Sequence, residues 1–131
     1  MSAALLETYY SAFNAGDKAA MLATLAPDVL HEPSQGQARV GIAAFGDFWD
    51  HMARCYREAV VDPVFMVSAD GAHGAAEFKL TGTYLETDGD LPAARGQDYA
   101  LRVGAFFDFA DGKIARVSNH YNLNDWLGQV E

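Results

Sequence analysis

The run Val29-Leu30-His31-Glu32-Pro33 sets an imidazole and a carboxylate side by side where a short apolar stretch meets a proline. Pro33 holds Glu32 to extended backbone angles and forbids helix there, so Glu32 ends a short strand, "DVLHE". An acid at that place is either a solvated loop charge or a carboxylate aimed into a pocket. Strand alternation, with Leu30 and Glu32 taken as inward, turns Val29 and His31 away. An apolar pocket would disfavour the charged carboxylate and raise its pKa. Such a group suits general base catalysis near neutral pH, which contributes about 10²- to 10⁴-fold in rate. Hydroxyl and amide side chains could donate to an oxygen of a bound molecule: Tyr9, with Tyr10 the alternative one step round the same helix, and Asn119 through its amide. His31 is a further acid or base by type; as a half-exposed strand residue it would do neither.

Other chemistries find little support. His51, His73 and His120 show no two-histidine helical spacing, so no metal is expected. Cys55 is the single cysteine, read as a packing residue, and it excludes an intramolecular disulfide. No nucleophile elbow, phosphate loop or dinucleotide fingerprint occurs, and no cofactor is expected.

The elements that must position these groups follow from periodicity. Leu5, Leu6, Tyr9, Ala12 and Phe13 recur at helical spacing, and "NAGD" closes that helix, with Asp17 free to cap the next, "KAAMLATL". "IAAFGDFWDHMARCYR", about 42 to 57, is a third helix with Phe45, Phe48, Trp49 and Met52 on one side. Extended segments follow: "AVVDPVFMVSADG" with "HGAAEFKLTGTYLE", then "DYALRVGAFFDF" with "KIARVSNHYNLNDW", each pair joined through an Ala-Asp-Gly turn or its equivalent. Helices first and antiparallel strands after them indicate one α+β domain over 1–131, with a strongly curved sheet wrapped on the N-terminal helices. Gly82 and Gly104 are candidate bend positions. On the last strand Val117, Asn119 and Tyr121 point one way; by register with Ala105 and Phe107 they line the cavity, joined by Trp49 and Tyr84. The opposite face carries Arg102, Phe106, Asp108, Arg116 and His120, and an aromatic among mixed charges there suits a homodimer paired through the sheet.

The 131 residues carry 18 acids against 9 bases, a formal charge of −9. Such a surface repels nucleic acid and anionic membranes and is compatible with a neutral or cationic small molecule without selecting one. The N-terminal stretch lacks a signal-peptide pattern and no apolar run could span a bilayer, so a cytoplasmic protein is expected.

The order of helix, "NAGD", short helix, "PDVLHEP", "VGIAAFGDFW" and late strands resembles the ketosteroid isomerase and SnoaL-like superfamily. Its fold is the cone-shaped α+β barrel named after nuclear transport factor 2. "GTYLETDGDLPAARGQ" and "GAFFDFADGKIARVSNHYNLNDWLGQV" resemble the ketosteroid isomerase-related subgroup. The resemblance implies an isomerase, or a cyclase or lyase, with a small hydrophobic carbonyl compound as its partner, and equally allows a non-catalytic binding protein. It places Glu32 where those isomerases hold a proton-shuttling aspartate and Tyr9 where they hold the oxyanion-binding tyrosine. Ala105 stands where they hold a second, protonated-acid donor, which is therefore missing. Against limonene epoxide hydrolases, Asp88, Asn119 and Glu86 fall where two aspartates and an arginine are expected, so one acid and the arginine are absent.

Overall fold

The computed structural model describes residues 2–131. Helix α1 (Ser2–Ala15) stops at Gly16, whose φ of 67° lies in the left-handed region that favours glycine, and Asp17 then caps the short α2 (Lys18–Leu22) by accepting from the Ala20 amide at 3.0 Å. Strand β1 (Leu25–Glu32) and the two-residue β2 (Arg39–Val40) lead into α3 (Ile42–Cys55). Then come β3 (Tyr56–Val67), β4 (His73–Tyr84), β5 (Asp98–Ala110), β6 (Lys113–His120) and α4 (Leu123–Val130).

One six-stranded sheet runs in the order β2-β1-β6-β5-β4-β3. All neighbours are antiparallel except β1 and β6, which are parallel, so the first strand of the chain lies beside its last. Helix α1 lies against β3, fixed where Asn14 donates to the Val60 carbonyl (2.9 Å) and accepts from the Val60 amide (2.8 Å). The core between sheet and α1 is built on Leu6, Tyr9, Val29, Phe107, Ile114 and Val117. A second cluster, around Tyr84, Tyr99, Leu101 and Trp126, holds α4 against β5. The expected α+β cone, helices on a curved and unclosed sheet, is the observed architecture.

Three expectations are corrected. The last segment is not one strand: β6 ends at His120, and Asn122 caps α4 by accepting from Asn124 and Asp125, so Trp126 closes the cone as a helical residue. Register shifts occur between Val61 and Val64, where Asp62 takes a φ of 52°, and between Asp108 and Phe109, not at the glycines. Gly82 instead makes room for the Tyr99 ring, its cross-strand partner, which a Cβ would overlap. Finally, α3 stops two residues early and passes into β3 without a loop. Among the described residues no helix is long and apolar enough to cross a membrane.

Candidate functional site

Sheet curvature and the helices enclose a cavity of about 410 Å³, within the usual range for small-molecule sites. Its walls are mostly apolar, from Phe13, Phe45, Phe48, Trp49, Phe78 and Leu101 among others. Polar groups enter at two places.

The first is on β3. Tyr56, Glu58 and Val60 share the inward face, and the partly buried Glu58 lines the cavity. Its Oε2 accepts a 2.6 Å bond from the Tyr99 hydroxyl across the sheet. Desolvation pushes the Glu58 carboxyl above its ordinary value, and the Tyr99 bond partly offsets this by favouring the charged form. Beside it, Asp88 accepts from the Tyr56 hydroxyl (2.7 Å) and from His51 Nε2 (2.8 Å). Arg54, which can only donate, reaches His51 Nδ1 at 3.1 Å, so the imidazole proton sits on Nε2, facing Asp88. Tyr121 lines the same wall, and burial together with the Glu58 and Asp88 charges raises its pKa. It therefore stays a protonated hydrogen-bond donor, and it has no side-chain partner among the described residues. Asn119 lines the cavity as well, its amide also uncommitted among those residues.

The loop that brings in Asp88 is organised by Tyr84. Its hydroxyl donates to the Pro92 carbonyl (2.7 Å) and accepts from the Asp88 amide (2.9 Å), while its ring stacks on Tyr56. His51, Cys55 and Asp88 place ligating atoms within 4.8 Å of one another, a spacing that three metal ligands could use. Yet His51 and Asp88 already satisfy each other, the Arg54 cation adjoins the imidazole, and burial holds the Cys55 thiol above its ordinary pKa. The arrangement is better satisfied as a hydrogen-bonded network than as a cation site.

The second polar place is on β1, where alternation runs opposite to expectation. Val29 and His31 face inward, His31 with 2% of its surface exposed, while Leu30 and Glu32 face outward. Leu25, Val29 and His31 keep one inward phase, opposite to the one expected, and register agrees with the outer placement of Glu32: it sits level with Ser118, and Ser118 with Phe106. Glu32 is outside the cavity wall and accepts a 2.8 Å bond from Arg116 Nε. His31 is wedged between Phe45 and Phe48, each 4.7 Å away, with its Nδ1 buried and unpartnered. Burial first, and the Arg39 cation second, lower its pKa from 6.5 to about 4, so it is neutral at physiological pH.

Of the remaining candidates, Tyr9, Trp49, Asn119 and Tyr121 line the cavity. Tyr9 is a core aromatic with one edge on the cavity, packed at right angles on Tyr10 and Phe107. Tyr84, Ala105, Phe107 and Val117 are packed beneath the wall, each with 1% or less of its surface exposed. Glu58 and Tyr99 escaped the sequence reading because "CYREA" was assigned to helix up to Arg57. The alternation Tyr56, Glu58, Val60 was the signal that marked an inward acid.

No curated protein matches the chain. Among solved structures, it is similar to a candidate polyketide cyclase from Pseudomonas putida KT2440 at 54% identity, covering 97% of this chain and 96% of that one, with a TM-score of 0.95. Candidate polyketide cyclases from Silicibacter sp. TM1040 (46% identity, 99% and 95% covered, TM-score 0.97) and Xanthomonas campestris (47%, 99% and 96%, 0.96) are similarly related. The family model described as the SnoaL-like domain matches residues 6–117, most of the cone and its cavity, and the chain belongs to the SnoaL-like family.

Proposed function

We propose that the protein binds a small, mainly apolar carbonyl compound in the cavity and catalyses cofactor-free proton transfer at the carbon beside its carbonyl. The observation that carries this is Glu58: an enclosed carboxyl, anchored through one oxygen by Tyr99 and facing an apolar space through the rest. The C–H bond breaks, its proton goes to the free Glu58 oxygen, and the electron pair moves onto the carbonyl oxygen. Tyr121, with the Asn119 amide in support, donates to the enolate so formed. Glu58 thus takes the role first given to Glu32, whose outward ion pair keeps it from a ligand in the cavity. Tyr9 contributes wall area and an edge rather than the principal donor.

From the enolate two outcomes share the same first step. Return of the proton to another carbon is an isomerisation, and attack on a second carbonyl of the same molecule closes a ring. The names of the similar structures favour ring closure. The test is deuterium exchange from heavy water into 2-tetralone, a bicyclic ketone of suitable size, followed by NMR. The native protein should accelerate exchange, Glu58→Gln should lose about 10²- to 10⁴-fold of that acceleration, and Glu32→Gln should keep it. Equal rates for native protein and Glu58→Gln, with binding retained, would leave a non-catalytic binder. The outer sheet face, where Met66, Ala75 and Phe106 lie in one row and Phe106 is 50% exposed, supports pairing with a second copy of the chain.

A further inference from the structure

His31 and Arg39 are directly opposed in the β1–β2 pair, so their side chains leave the ladder on the same face, toward the cavity they both line. The Arg39 guanidinium lies 5.2 Å over the Phe48 ring, which in turn contacts the His31 imidazole edge-on. Neither side chain has a hydrogen-bonding or ionic partner among the described residues. Arg39 shares this with Arg57, Arg95 and Arg102, but of the lysines and arginines among the described residues it alone lines the cavity. For His31 the lack is costly, because a buried polar atom without a partner forfeits about 1–3 kcal/mol. Four inter-strand steps, about 19 Å along the sheet at about 4.8 Å each, separate β1 from β3, so this pair and Glu58 stand on opposite walls.

We infer that the His31–Arg39 pair is the recognition site for an acidic group on the ligand, a carboxylate carried at the end remote from the reacting carbonyl. This rests on the reading of the cavity given above and names the class of compound it takes: a keto acid with an apolar body between its two polar ends. The guanidinium offsets the charge while leaning on Phe48, and the buried imidazole nitrogen gives its hydrogen to one carboxylate oxygen. A neutral histidine serves this role well, since it can donate from Nδ1 without adding a second cation beside Arg39. Its lowered pKa keeps it in that state across the physiological range. Phe45 and Phe48 shield the imidazole side of the contact from water, while Arg39 itself is exposed.

The experiment compares 2-naphthoic acid with methyl 2-naphthoate by calorimetric titration, using native protein, Arg39→Gln, His31→Phe and Glu58→Gln. The acid should bind at least about tenfold more tightly than its ester to the native protein, as expected for a charge-assisted contact. Arg39→Gln and His31→Phe should each remove that preference while leaving ester binding near its native value. Glu58→Gln should retain the preference, so loss of the catalytic reading would not remove this one. An acid that binds no better than its ester, or a preference that survives Arg39→Gln, overturns the inference.

Discussion

His31→Phe tests the β1 assignment through stability alone, without any ligand. The imidazole is enclosed by Phe45 and Phe48 and titrates at about 4 in the folded protein, against 6.5 when free. Between these values the unfolded chain binds a proton that the folded chain refuses, so stability falls as pH drops through that window. At about 1.36 kcal/mol per pH unit the gap amounts to about 3 kcal/mol. The phenylalanine variant carries no such proton. Whatever its packing costs, the stability difference between the native protein and His31→Phe should shift by about 3 kcal/mol between pH 7 and pH 4, in the variant's favour at the acid end. Urea unfolding at intervals across that range, followed by tryptophan fluorescence, measures it. Subtraction removes the other titrating groups, including Glu58, which sits on the far edge of the sheet and acts with opposite sign. A difference that stays constant to within about 0.5 kcal/mol would mean that His31 is hydrated in the native state, and would refute the inward placement.

Glu58 titrates above its ordinary value in the fold, so its contribution to stability is fully present below about pH 4.5 and is lost as pH rises through the raised value. Glu58→Gln should therefore flatten the stability profile above pH 4.5, read by the same unfolding series. Tyr99→Phe removes the bond that partly lowers the Glu58 pKa, and should move the rising limb of the deuterium-exchange profile to higher pH. Gly82→Ala should produce the same displacement with a loss of about 1–3 kcal/mol in thermal unfolding, because the new methyl group forces the Tyr99 ring aside. Asn14→Ala leaves both Val60 backbone groups unpaired, and should cost about 1–3 kcal/mol and loosen α1, visible as faster amide exchange at Val60. Phe106→Glu should convert a sheet-paired dimer to monomer in sedimentation; unchanged sedimentation of a dimer would place the interface elsewhere.

The helical periods of α1 and α3, the glycine stop at Gly16 and the long β-hairpins were legible in the sequence because each is a local pattern read over many residues. What was not legible depended on phase. In β1 a run of apolar and polar neighbours, Val29-Leu30-His31-Glu32, reads equally well in either phase, and the three-residue uncertainty in the start of β3 hid Glu58 altogether. Asp88 lay in a loop whose course depends on the Tyr84 hydroxyl, a contact no spacing announces. Asn119 was legible because register from β5 to β6 is continuous at its level, where it pairs with Ala105; Tyr121, one residue past the end of β6, keeps the same inward phase.

The direct passage from α3 into β3 divides labour along the chain. His51, Cys55, Tyr56 and Glu58 ride on one unbroken stretch, so an insertion there would rotate the proton acceptor out of its niche. The segment from Leu85 to Gln97, held by its own turn bonds and by Cys55, Tyr84 and Val130, forms part of the same chamber through Asp88 and Leu91. Evolution is therefore free to retailor which molecules the chamber admits by rewriting that strap, while leaving the reactive carboxyl where it stands.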